Sequence, residues 1–216
     1  MPAHDPAEPL CTLAHALLVD LNSPLLAPFL AAWPQRSAPP PGGARTAAPV
    51  APALAPAAAP STLPVLRWLP AIGTEIEARG GIGAALAGAV CRAGSSLAWR
   101  QTYRPDELDS AFLNNYGWTQ MFPTEPTAAG VACGLLLLGP HTHYPAHAHE
   151  AEEVYVPLYG TAEWLKGDGP WRAHAPGALI HHRRDEPHAM RTADAPLLAL
   201  YLWRSDNLLQ QARLIV

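Results

Sequence analysis

The sequence predicts a mainly β fold in its C-terminal half, preceded by an α-helical N-terminal extension. After Pro123 the chain breaks into short apolar or alternating runs cut by glycine and proline, the texture of an antiparallel sandwich or closed barrel. Before it, apolar residues recur at helical spacing. No internal repeat is visible, so one barrel is expected and a duplicated one is not.

Taken in order, residues 1–33 read as an N-terminal helical segment, because Leu10, Leu13, Leu17, Leu18 and Leu21 share a helical face before Pro24 and Pro28 interrupt it. Residues 34–62 are almost all Ala, Pro, Gly and Ser and read as a linker or extended loop, since such side chains cannot cover a core. Residues 63–122 read as a helical layer. Ile82, Leu86 and Val90 carry the pattern from Ile72 to Trp99, Gly80, Gly81, Gly83 and Gly88 weaken it, and Pro105-Asp106-Glu107 resembles a further helix start. Residues 123–216 read as the barrel, with strands expected over 131–138, 153–159, 162–165, 178–182 and 197–203.

Composition narrows the function. The net charge is −4, and the densest basic stretch, Arg183-Arg184, is followed at once by Asp185 and Glu186, which argues against a nucleic-acid partner. The opening residues are acidic where a secretory signal is basic, and no run approaches the roughly 18 apolar residues of a membrane span, so a cytoplasmic protein without a membrane partner is expected. Cys11, Cys91 and Cys133 are far apart and odd in number, which favours buried small apolar residues over disulfides.

The densest chemistry lies at Tyr144 to Tyr155, where imidazoles, carboxylates and phenols crowd a dozen residues. His147, His149 and Glu153, with His188 downstream, form a set of neutral imidazoles and a carboxylate suited to one divalent transition metal, whether Zn, Fe, Mn, Co or Ni. A helical reading of His149-Glu150-x-x-Glu153 is opposed by the continuation Val154-Tyr155-Val156-Pro157, which is β-branched and contains proline. Tyr155, two residues after Glu153, faces the same way on a strand. His141 and His143 read as ordinary loop residues or as donors that orient a ligand, His174, His181 and His182 as solvated, and residues 183–186 as a charged turn.

His147-x-His149-x3-Glu153-x6-Gly160 matches the first motif of the cupin superfamily, and Pro176-Gly177 followed by Pro187-His188 matches the second. The chain departs from the usual pattern in having its upstream glycine early, at Gly139, and in lacking an Asn after His188, neither of which supplies a usual ligand. The resemblance implies a single cupin (jelly-roll) barrel in the C-terminal half. Within that superfamily the chain resembles the cupin-type dimethylsulfoniopropionate lyases, through Tyr144, Tyr155 and Trp203 at their places around the motifs. That resemblance implies a metal on His149, Glu153 and His188, with His147 as fourth ligand or neighbour. It also implies Tyr155 as catalytic base, and Tyr144 and Trp203 as substrate-binding residues. The reaction it implies is β-elimination on a small-molecule substrate, giving dimethyl sulfide and acrylate. Two rival readings stand beside it: another metal-dependent cupin enzyme, an oxygenase or isomerase, and a non-catalytic ligand-binding cupin. Related barrels pair through edge strands, so a homodimer is compatible with the resemblance.

Overall fold

The computed structural model describes residues 7–34, 62–123 and 130–215. The expected linker over 34–62 lies almost wholly outside the described residues. Among the described residues five α-helices precede ten strands: α1 (Ala7–Asp20), α2 (Ala27–Ala31), α3 (Leu69–Ile76), α4 (Ile82–Ala93) and α5 (Ser110–Leu113). The strands are β1 (Tyr116–Phe122), β2 (Gly130–Leu138), β3 (His143–Ala148), β4 (Glu152–Tyr159), β5 (Ala162–Lys166), β6 (Arg172–His174), β7 (Ile180–His182), β8 (His188–Thr192), β9 (Leu197–Ser205) and β10 (Arg213–Leu214).

The helical expectation for 72–99 resolves into two helices. Gly81, at φ +94°, turns the chain between α3 and α4, a backbone conformation that costs glycine little. The helix start expected at Pro105 is displaced. Asp109 Oδ1 accepts the Phe112 N–H at 2.8 Å and caps the short α5, while the Glu107 carboxylate accepts the Arg104 N–H and closes a turn before it. The sheet also begins earlier than the expected boundary at 123, because Tyr116–Phe122 pairs antiparallel with β2.

Every strand pair is antiparallel, and two five-stranded sheets result, ordered β1-β2-β9-β4-β7 and β10-β3-β8-β5-β6. This is the mainly β architecture with N-terminal helices that the sequence predicts. The first sheet is buried on both faces, so its strands read as continuous apolar runs such as Leu135-Leu136-Leu137-Leu138. Alternation still sorts the faces: Leu135, Leu137, Val154, Val156, Leu198, Leu200 and Leu202 share a core with Leu10, Leu18, Ile72 and Leu86 from the helices. Leu136, Leu138, Tyr155, Ala199 and Tyr201 belong to a second core with Tyr144, Trp164 and Met190 from the opposite sheet. Gly160, the last residue of the first motif, has φ +81°, and a Cβ there would collide with the Pro196 carbonyl oxygen.

Among the described residues no helix is long and apolar enough to cross a membrane. Of the three cysteines, Cys133 is buried and Cys11 and Cys91 are half-buried.

Candidate metal centre

The site lies where the two sheets face each other. Pairing of β3 with β8 sets His147 opposite His188, and His149 follows directly on the end of β3. Glu153 comes from β4 in the other sheet. His149, Glu153 and His188 each offer a ligand atom within 4.8 Å of the others, and all three side chains are at most 2 % exposed. Glu153 Oε2 lies 2.9 Å from His149 Nε2 and 3.2 Å from His188 Nε2. Among the described residues this is the group that could hold a metal ion.

The ring tautomers test the fit. A backbone carbonyl accepts only, so a ring nitrogen bonded to one must carry the proton. His147 Nδ1 donates to the Pro145 carbonyl, His149 Nδ1 to Ala151 and His188 Nδ1 to Glu186, each at 2.9 Å. Nε2 is therefore the nitrogen that each ring turns toward a metal, with the orienting carbonyl that metal-binding imidazoles require. His188 Nε2 is buried and, despite its nearness to Glu153, out of line for any hydrogen bond. A buried nitrogen without a partner, next to a carboxylate oxygen, is what a cation between them would satisfy.

Without a cation the site holds a proton instead. Burial works to lower the His149 pKa, but the charge and hydrogen bond of Glu153 outweigh it and the net shift is upward. Burial works to raise Glu153, and His149 followed by His188 reverse this, holding the carboxyl well below its ordinary range.

Comparison with known proteins places the chain in a family. Residues 44–199 match the dimethylsulfoniopropionate lyase family. The chain belongs to that family. It is 36% identical over 125 residues to the dimethylsulfoniopropionate lyase DddQ of Ruegeria pomeroyi, a match covering 57% of this chain and 62% of that relative. The aligned part thus spans less than two thirds of the relative's length. The crystal structure of DMSP lyase DddQ from Ruegeria pomeroyi superimposes with a TM-score of 0.62 at 29% identity, covering 96% of each chain. A structure described as that of the DMSP lyases RdDddP and RnDddQII gives a TM-score of 0.63 at 27% identity, over 72% of this chain and 80% of the other.

The remaining residues singled out in this family member fall around the triad. His147 stands beside it, outside the 4.8 Å group, with its ring centroid 4.2 Å from His188 and 6.4 Å from His149. Burial, then the neighbouring His188, push its pKa well below 6.5, so it is neutral. Tyr144 stacks on His147 at 3.9 Å and 7°. Three positions apart, the two would face opposite ways on a regular strand; a register shift between them, at Pro145 and Ala146, turns both inward. Tyr144 also shares a hydrogen bond with Tyr103, OH to OH at 3.1 Å. Tyr155 is buried within 4.9 Å of Trp164 and 6.5 Å of His188, centroid to centroid. Burial first, then the Glu153 charge, raise its pKa well above 10.

Trp203 and His182 flank Glu153 as its cross-strand neighbours on β9 and β7. Trp203 Nε1 donates to Glu153 Oε1 at 2.6 Å, and its ring lies 4.3 Å from His149. His182, expected to be solvated, is instead 0 % exposed and stacks on His188 at 4.0 Å and 14°. Neither of its ring nitrogens has a hydrogen-bond partner, and burial, then His188, lower its pKa to about 2. The charged turn next to it drew the sequence reading outward, although the alternation Ile180, His182 carried the opposite signal. Tyr103 and Tyr116, which line the same interior, carry no motif and were not singled out from sequence.

Proposed function

We propose that this chain cleaves dimethylsulfoniopropionate to dimethyl sulfide and acrylate by β-elimination. The observation that carries the reading is the convergence of His149, Glu153 and His188 with pinned tautomers in a chain of the dimethylsulfoniopropionate lyase family. The named relatives are lyases of this substrate, and a small-molecule substrate suits a site enclosed between two sheets. His149, Glu153 and His188 are assigned as ligands of one divalent transition metal, with His147 as their neighbour. Such an ion, when bound, supplies Lewis-acid neutralisation of the substrate carboxylate, whose charge grows as the adjacent CH2 loses its proton.

Tyr155 is assigned as the base. Its phenolate oxygen takes the proton from the carbon next to the carboxylate, the C–H pair forms the double bond, and the C–S bond breaks with its electrons leaving on sulfur. Dimethyl sulfide departs neutral, so no general acid is required. Burial and Glu153 both oppose the phenolate in the metal-free protein, so the base role needs a neighbouring positive charge that outweighs them. Tyr144 and Trp203, whose rings lie against His147 and His149, are assigned as electron-rich walls for the sulfonium, worth ~0.5–2 kcal/mol.

Headspace gas chromatography of dimethyl sulfide tests the reading. Metal-loaded protein is expected to release the gas above buffer, and both chelator-stripped protein and Tyr155→Phe are expected to lose that release. No release from loaded wild type overturns the activity; wild-type rates from Tyr155→Phe overturn the base. Oxygen consumption in place of gas release would mark an oxygenase.

A further inference from the structure

We propose that Trp203 is a positioning residue: its indole N–H fixes the Glu153 carboxylate so that one oxygen alone faces the metal, which keeps coordination positions open for substrate. This rests on the metal reading above and goes beyond it, because it assigns the indole nitrogen a task separate from that of the ring.

The two oxygens of Glu153 have different surroundings. Oε2 faces His149 Nε2 at 2.9 Å and His188 Nε2 at 3.2 Å, the side on which the ligand atoms converge. Oε1 accepts the Trp203 N–H at 2.6 Å. An indole N–H is a donor only and does not ionise in this pH range, so it holds Oε1 toward β9 while Oε2 stays on the side of His149 and His188. His182, the neighbour of Glu153 on the other side, makes no hydrogen bond to it, and its ring nitrogens are without partners. The hydrogen bond on Oε1 thus comes from Trp203, not from His182.

The tryptophan is itself held in place. It stands opposite Glu153 in the β4–β9 ladder, and its ring lies tilted at 33° over His149 and 6.2 Å from Tyr201. A wall for a sulfonium needs only the aromatic face, which phenylalanine also provides. The nitrogen therefore has a separate consequence: a carboxylate free to rotate would offer both oxygens and fill a position that substrate or water would otherwise occupy.

Trp203→Phe separates the two roles, since it keeps an aromatic ring beside His149 and removes the N–H. Cobalt(II) serves as the probe, because its visible bands weaken as coordination number rises. The variant is expected to show weaker bands than wild type and, in chelator competition, affinity lowered about 10–100-fold, the scale for loss of a group that orients a ligand. Unchanged bands and affinity overturn the proposal, and a raised KM alone would leave Trp203 as a wall. If wild type takes up no cobalt, the metal reading fails and the proposal fails with it. If wild type takes up cobalt but releases no dimethyl sulfide, only the substrate is wrong. Proton–nitrogen spectra of wild type give a second measurement that needs no variant. The Trp203 indole proton is expected to stay downfield and slow to exchange on zinc addition; its return to a free-indole position would overturn the proposal.

Discussion

The two faces of the β1-β2-β9-β4-β7 sheet differ in chemistry although they are built from the same strands. Toward the helices, β9 sends Leu198, Leu200 and Leu202 into an aliphatic layer closed by α1, α3 and α4. Toward the opposite sheet, the same strand sends Ala199, Tyr201 and Trp203, and β4 adds Glu153 and Tyr155. One face keeps water from leucine and valine, where shape and volume matter most. The other gathers groups that are costly to bury unless paired, and pairs Glu153 with His149 and Trp203. A single ladder thus supplies stability on one side and the candidate site on the other, and period-2 alternation keeps the two apart.

The largest effect expected is on metal uptake. Glu153→Gln removes the charge between His149 and His188, and elemental analysis should find no bound metal while far-UV circular dichroism stays native. Metal retained in that variant would mean that the inner face does not depend on its carboxylate. Next, Leu200→Ala on the helix side should cost about 2–5 kcal/mol in denaturant unfolding, because Leu200 is fully buried, and leave metal stoichiometry unchanged. Loss of metal there would show that the faces are coupled after all.

A smaller effect separates the faces by pH. His149 is raised above 6.5, so its share of stability is complete below that value and lost as pH rises through the folded-state pKa. Glu153 is held below 4.5, so its share is present above that value and lost as pH falls through its own. The metal-free protein should therefore draw most from this pair between 4.5 and 6.5, visible as a rise in thermal midpoint that Glu153→Gln abolishes. Metal replaces the proton, so affinity by chelator competition should weaken as pH is lowered through that window. The smallest effect expected is from Tyr144→Phe. It removes the hydrogen bond to Tyr103 but keeps the ring on His147, for a loss of about 1 kcal/mol in unfolding.

Much of this was legible along the chain. Strands β2, β4, β5, β7 and β9 coincide within a few residues with the expected runs. Strands β1, β3 and β8 were harder to see, since β1 mixes glycine and polar residues with its aromatics and β3 carries Pro145 at its register shift. His149, Glu153 and His188 were legible because ligand chemistry and strand alternation both act locally. His182 was not, because its neighbours 183–186 look like a solvated turn, and only the pairing of β7 with β4 puts it opposite Glu153.

By itself, the sequence determined the mainly β class, the helical preface and the identity of the donor atoms, since these depend on side-chain type and on periodicity within one segment. The tertiary structure alone decided which donors converge. It brought His188 to Glu153 across two sheets, turned Tyr144 inward through a bulge, and laid the Trp203 nitrogen on one carboxylate oxygen. These outcomes depend on register between strands distant in the chain, and a shift of a single residue would send each side chain to the opposite face.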